Sequence, residues 1–289
     1  MSVAELAPLL QPSRVTTSFR GSPHNTLWVT MTQTHPSAVQ NFSPELLHDL
    51  GNLYSTIRDG GMMWPGAGTA QPIDYLVLKS AHPDYFSLGG DLAHFRECIR
   101  YGNRRGLRDY SMRCADMVYE WAEQSMRTTT ISLVQGRALG GGFETALASD
   151  YLIAEEQSEF GFPEILFGLF PCTGAMSLLA RRVGVWQAER MMRNGKIYQA
   201  EELLRMGIVD GLSPKGQGVL AVEKFVADHC KHASARLALQ RARTRLAPLN
   251  RDELHRVVED WVEIAMTLGE GELRVMDMLI QMQRAGAPA

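Results

Sequence analysis

The stretch GRALGGGFETALASDYLIAEE, residues 136–156, constrains the chain more than any other. It follows TISLVQG (130–136), an apolar run of the kind that forms a strand buried on both faces, and leads into an apolar segment that reads as a helix. Between them Gly140, Gly141 and Gly142 permit a tight bend and close approach of another backbone. The same order occurs upstream, where IDYLVLKS (73–80) is followed by FSLGGDL (86–92), with Gly89 and Gly90, and then by the helical periodicity of DLAHFRECI. Strand, glycine turn and helix repeated in sequence predict an α/β core built from successive units. They also raise a question, because Glu144 stands inside the second helix on an otherwise apolar face. A buried carboxylate costs several kcal/mol, on the order of its desolvation penalty, unless a partner or a chemical task compensates for it.

The rest of the chain fits that frame. A polar leader precedes TLWVTM (26–31), which reads as a strand. SPELLHDLGNLYSTIRD (43–59) reads as a helix capped by Ser43 with Pro44 in its first turn. GGMMWPGAGTAQP (60–72) reads as a loop, LRDYSMRCADMVYEWAEQSM (107–126) as a helix and DYLIAEE (150–156) as a strand. Beyond FPEILFGLFPCTGA (162–175) the pattern is helical up to the amphipathic stretch 251–284. The expected organisation is a leader over 1–25, a core with the active site over 26–210 and a helical subdomain over 211–289.

At 289 residues, 45% hydrophobic and 21% charged, the chain has material for a substantial core. A formal charge of −3 gives no basic footprint for nucleic acid. The opening segment, with Glu5 and no basic start, does not read as a secretory signal, and no run approaches the ~18 apolar residues of a membrane span, so a cytoplasmic protein is expected. Cys98, Cys114, Cys172 and Cys230 are scattered, without the pairing that marks a zinc site or disulfide frame.

Phosphate-loop, nucleophile-elbow and zinc-protease motifs are absent. What remains is chemistry for the glycine turns and two carboxylates. Unpaired N–H groups at two helix starts, brought together, form a donor pair for one developing oxyanion; the alternative is a pair of plain strand-to-helix connections. Glu164, twenty residues beyond Glu144, lies in FGFPEILFGLFP among apolar neighbours. Two carboxylates in such surroundings have their proton affinities raised and pushed apart, which suits them to divide acid and base work. Structural alternatives are a buried Arg partner for Glu144 and a helix-capping role for Glu164 after Pro163.

The segments VQGRALGGGFETALASDYLIA, FGFPEILFGLFPCTGA and YFSLGGDL together resemble the crotonase (enoyl-CoA hydratase/isomerase) superfamily, from about Trp28 to the C-terminal helices. The resemblance implies a spiral of ββα units with a helical C-terminal trimerisation region, and a homotrimer or dimer of trimers. It implies that the N–H groups of Gly90 and Gly141 polarise a thioester carbonyl and that Glu144 and Glu164 add or remove water across C2 and C3, with neither metal nor redox cofactor. Leu88-Gly89-Gly90-Asp91, PEILFGLFP, MGIVDGLSPKGQGV and the tail from Asp260 resemble more closely the bacterial diffusible signal factor synthases. That likeness implies dehydration of a 3-hydroxyacyl-acyl-carrier-protein to a cis-2-enoyl thioester, then hydrolysis releasing a free fatty-acid signal, with Glu164 as base at C2 and Glu144 as acid at C3, or the reverse. Some members of that group also bind a sensory signalling protein. Rival readings are a housekeeping enoyl-CoA hydratase and a non-catalytic binding protein of the same fold. Leu88, Leu139 and Trp261 are candidate acyl-binding residues, with Met266 and Leu268 beside Trp261; Arg104 and Arg105, within a cluster from Arg96 to Arg113, are candidates for docking an acidic carrier protein. His94 reads as a surface histidine.

Overall fold

The computed structural model describes residues 13–285, apart from 22–23, 34–38, 66–68 and 125–126. In chain order it runs β1 (Val15–Arg20), β2 (Thr26–Met31), α1 (Pro44–Asp59), β3 (Met63–Trp64), β4 (Gln71–Pro72), β5 (Tyr75–Ser80), β6 (Tyr85–Ser87), α2 (Leu92–Arg100) and α3 (Arg104–Glu123). It continues with β7 (Thr129–Val134), β8 (Arg137–Leu139), α4 (Gly141–Leu147), β9 (Tyr151–Glu155), β10 (Glu159–Gly161), a 3₁₀ turn over Pro163–Phe167, α5 (Ala175–Val183), α6 (Val185–Arg193), β11 (Ile197–Gln199) and α7 (Ala200–Arg205). β12 (Gly211–Ser213), α8 (Gly218–His229), α9 (Ala233–Leu246), α10 (Arg251–Ala265) and α11 (Glu270–Ala285) complete it.

The main sheet has the order β1-β2-β5-β7-β9-β12, and a smaller one the order β11-β10-β8-β6. Apart from the antiparallel β1–β2 pair the main sheet is parallel. Each turn of the spiral lays a long strand in the main sheet, a short one in the second sheet, then a helix: β5-β6-α2, β7-β8-α4, and β9-β10 with the 3₁₀ turn and α5. The apolar runs that nucleate the long strands are buried on both faces, as parallel strands require. Leu76 and Leu78 face the large core under the helices, while Tyr75 and Val77 face a second cluster with Ile131, Leu133 and, from α8, Val222 and Val226. Ser43 caps α1 by accepting from Leu46 N, with Pro44 at the start of the helix.

Three sequence expectations need correction. Val15–Arg20, assigned to a polar leader, is an edge strand paired along its length with β2; its exposed pattern lacks the apolar run by which strands are recognised. The loop over 60–72 contains the short β3–β4 ladder. Gly211–Ser213, placed in the helical subdomain, is the outermost strand of the main sheet, and α8 packs on that sheet, because three-residue strands carry too little pattern to register. Residues 1–12, and with them the opening segment, lie outside the described residues. Among the described residues no helix is long and apolar enough to cross a membrane.

Candidate active site

The two glycine turns meet. A Cβ on Gly89 would lie 2.8 Å from Leu139 O and 2.9 Å from Gly141 N, and one on Gly142 would lie 2.2 Å from Ser87 O, so only glycine lets these backbones touch. Gly89 and Gly140 also take positive φ, 87° and 52°.

Peptide geometry then aims the donors. In a trans peptide the C=O and the following N–H point in opposite directions. Gly89 O accepts from Phe42 N (2.9 Å), which turns Gly90 N–H away from Phe42. Gly140 O accepts from Phe143 N (2.9 Å) and Glu144 N (3.0 Å) in the first turn of α4, which turns Gly141 N–H outward from the helix start. Neither Gly90 N–H nor Gly141 N–H has a hydrogen-bond partner among the described residues. Both residues line a cavity of about 40 Å³ together with Glu144 and Glu164.

Glu144 is 1% exposed. Its Oε1 accepts from Thr173 N (2.7 Å) and Ala175 N (2.9 Å), at the start of α5. There Gly174, the residue preceding the helix, has no side chain to cap it. The carboxylate of α4 thus caps a neighbouring helix, where N–H groups and the helix dipole favour negative charge. Burial pushes its proton affinity up and the amide donors oppose it, leaving it raised. The compensating partner is a helix start and not an arginine.

Glu164 is held differently. It follows Pro163 in the 3₁₀ turn, with its carboxylate against Gly140, where a Cβ would fall 2.3 Å from Oε1. Its Oε2 is buried and has no hydrogen-bond partner among the described residues. Burial first, and the charge of Glu144 second, push its pKa up to about 8. One carboxyl anchored by amides and one unanchored and holding a proton near neutrality form the pair that acid–base chemistry needs.

The small cavity is otherwise walled largely by apolar groups, among them Phe95, Met117, Val118 and Trp261. Gly90, Phe95, Glu164 and Trp261 also line an outer cavity of about 470 Å³, with Leu88, Leu139, Leu279 and Met282. Leu88, Leu139 and Trp261 therefore all reach the site, whereas Met266 and Leu268 pack against the core. Sequence reasoning missed the contribution of α3. Ser111, 2% exposed with its Oγ unpartnered, and Cys114 face the small cavity, and Tyr110 touches the loop beside it. The available signal was a pair of hydroxyl side chains on the apolar stripe of that helix.

Arg104 is not a free docking cation. It makes a paired contact with Glu263, while Arg96 pairs with Asp277 and Arg108 with Glu259. These arginines tie α2 and α3 to α10 and α11, the helices that bring Trp261, Leu279 and Met282 to the outer cavity. Arg105 is 91% exposed, with Asp109 3.7 Å away. His94 is half-buried, its ring 5.0 Å from that of Tyr110. Cys98, Cys114 and Cys172 are buried and unpaired, and Cys230 is unpaired at intermediate depth. Among the described residues no cluster of three or more His, Cys, Asp or Glu side chains is arranged to hold a metal ion.

The enoyl-CoA hydratase/isomerase family model matches residues 27–258, and the chain belongs to that family. Among solved structures, an enoyl-CoA hydratase from Bacillus halodurans is 25% identical, with a TM-score of 0.71 over 92% of this chain and 100% of that one. DspI from Pseudomonas aeruginosa is 25% identical, with a TM-score of 0.66 over 94% and 98%. A mevalonyl-coenzyme A hydratase from Beauveria bassiana is 40% identical over 90 residues, 31% of this chain and 32% of that protein. The chain spans less than two thirds of the lengths of the curated relatives it matches.

Proposed function

We propose that the protein is a hydro-lyase that adds or removes water across C2 and C3 of an acyl thioester, with Gly90 and Gly141 as the oxyanion donors and Glu144 and Glu164 as the acid–base pair. The observation that carries this reading is the meeting, in one small cavity, of two N–H groups unpartnered among the described residues, the buried carboxylate of Glu144 and the carboxylate of Glu164 with its Oε2 buried. In elimination one carboxylate takes the C2 proton, charge gathers on the thioester oxygen between the two N–H groups, and the C3–O bond breaks as the other carboxyl protonates the leaving water. Loss of one such donor typically raises the barrier by ~2.7 to 4 kcal/mol. Glu164, protonated near neutrality, has the state that delivers a proton to C2 in addition; in elimination its carboxylate takes that proton while the pair's one proton sits on Glu144.

The finer form of the proposal is a diffusible-signal-factor-type synthase. Its substrate would be a 3-hydroxyacyl-acyl-carrier-protein, its first product a cis-2-enoyl thioester, and its second the free acid. In hydrolysis a carboxylate would activate water for attack on C1 while the same N–H pair holds the tetrahedral oxyanion, and the thiol would leave with a proton. The apolar outer cavity beside α11 supports an extended acyl chain. A trimer built through the C-terminal helices belongs to the same proposal; light scattering at micromolar concentration should give three or six protomers, and a monomer would remove it.

Mass spectrometry of products from 3-hydroxyacyl carrier proteins and the matching CoA esters, over several chain lengths, tests the reading. Unsaturated free acid from the carrier-bound substrate is expected. Enoyl-CoA without free acid would reduce the protein to a hydratase, and no turnover of any thioester would leave a binding protein.

A further inference from the structure

Gly90 N–H is aimed by more than its own loop. Residues 40–42 run alongside 88–90, with Leu88 N donating to Gln40 O (2.7 Å) and Phe42 N to Gly89 O (2.9 Å), and Phe42 forms a parallel bridge with Gly90. The other half of that bridge turns Asp91 N toward Phe42 O. Here both groups go to a side chain: Tyr110 on α3 accepts from Asp91 N (2.9 Å) and donates to Phe42 O (2.5 Å) through a single hydroxyl. The peptides on either side of Gly90 are therefore both pinned, the first through Gly89 O and the second through Asp91 N, and Gly90 N–H is the group left over.

We infer that Tyr110 is a positioning residue for the oxyanion donor of Gly90, its hydroxyl fixing the angle at which that N–H meets the thioester carbonyl. This rests on the oxyanion reading of Gly90 and Gly141. The ring is locked for the task. It is fully buried, with Phe95 edge-on at 5.4 Å, and Phe95 in turn lies edge-on to Trp261 at 5.1 Å. Phe95 also closes the far side of Gly90, where a Cβ would fall 2.5 Å from its Cζ. The phenol is held well above its ordinary pKa by burial, so it remains a donor to Phe42 O at every working pH. Without the hydroxyl, Asp91 N–H and Phe42 C=O either stand unpaired in the interior or close on one another and draw Gly90 with them. Neither arrangement keeps the donor where it is.

Tyr110→Phe removes that oxygen and leaves the ring. Turnover of a 2-enoyl thioester should lose kcat by about ten- to a hundred-fold, less than the 10²- to 10³-fold typical of deleting a donor outright. KM should change by no more than about twofold, because only transition-state stabilisation is touched. The infrared C=O stretch of a bound, ¹³C-labelled enoyl thioester separates positioning from mere support. In the parent it should lie below its value in free ligand, and in the variant it should move back toward that value. A folded variant with the parent's kcat and carbonyl frequency overturns the inference. If Tyr110→Phe does not fold, 3-fluorotyrosine at position 110, which keeps the hydroxyl and alters its hydrogen-bond strength, takes its place: a displaced carbonyl frequency supports the role and an unchanged one overturns it. Failure of the underlying reading looks different, since the carbonyl of ligand bound to the parent would then be unpolarised from the start.

Discussion

The two faces of the main sheet bury titratable groups in opposite ways. On the α8 side His229, 1% exposed, has Nδ1 3.0 Å from Tyr75 OH and Nε2 3.2 Å from Tyr151 OH, with Phe225 stacked on its ring. Both ring nitrogens are satisfied, and burial pushes its pKa down to about 4, so it is neutral. On the other side Gly90 N–H, Gly141 N–H, Glu164 Oε2 and Ser111 Oγ, around one cavity, all lack partners among the described residues. A buried polar group without a partner costs roughly 1–3 kcal/mol. Burial of a titratable residue is therefore no mark of chemistry by itself, whereas unspent donors and acceptors converging on one space are.

The contrast breaks first if the glutamates can be neutralised without penalty. Glu144→Gln and Glu164→Gln should each lose turnover by about 10² to 10⁴, the range for a general acid or base. The double variant should be little worse than either, since members of one catalytic unit do not add. Both single variants should unfold cooperatively, because in Glu144→Gln the new side-chain amide oxygen can still accept from Thr173 and Ala175 N–H, as Oε1 of Glu144 does.

The next effect is on pH. The pair carries one proton in either direction, on Glu164 before addition and on Glu144 before elimination, so with a free-enzyme pKa of about 8 at Glu164, kcat/KM for both directions should fall together as pH rises through 8, and the Glu164→Gln variant should lose that inflection in its residual rate.

Stability sharpens the comparison further because the two regions titrate with opposite signs. Glu164 binds its proton more tightly folded than unfolded, so its contribution falls as pH rises from its ordinary value of 4.5 toward 8. His229 binds its proton less tightly folded, so its contribution is present above 6.5 and is lost as pH falls toward 4. Thermal unfolding across that range should flatten on the alkaline side in Glu164→Gln and on the acid side in His229→Phe.

The smallest effect concerns the arginines. Exposed ion pairs contribute little, so Arg104→Ala should lower the melting temperature slightly by releasing Glu263, and Arg105→Ala should leave it unchanged. If an acidic carrier docks there, Arg105→Glu should slow use of carrier-bound substrate at low salt and spare a short thioester; equal rates would remove that surface from the site.

Much of this was legible in the sequence because it was written in strong local signals. Strands β5 and β7 are largely apolar runs, each followed by a glycine turn and a helix, so the alternation of strand and helix follows from their order, whereas the spiral and the pairing of Gly90 with Gly141 came only with the family resemblance. Glu144 and Glu164 stood out as carboxylates in apolar stretches. What compensates Glu144 was not legible, since the start of α5 approaches it only in three dimensions. Tyr110 was hidden for the same reason: a tyrosine on a helix stripe looks like core until its hydroxyl is seen between Phe42 and Asp91. The ion pairs of Arg104 and Arg108 were not legible, because Glu263 and Glu259 lie some 150 residues away, in α10.

Chemistry is expected on the unsatisfied face of the sheet. Incubating a 2-enoyl thioester with the protein in H₂¹⁸O, and following label at C3 of the 3-hydroxyacyl product by mass spectrometry, tests it most directly. Incorporation is expected by the parent, at the parental rate by folded His229→Phe, and with a loss of at least about 10² in Glu164→Gln. Parental incorporation by Glu164→Gln, or its abolition in folded His229→Phe, would contradict it.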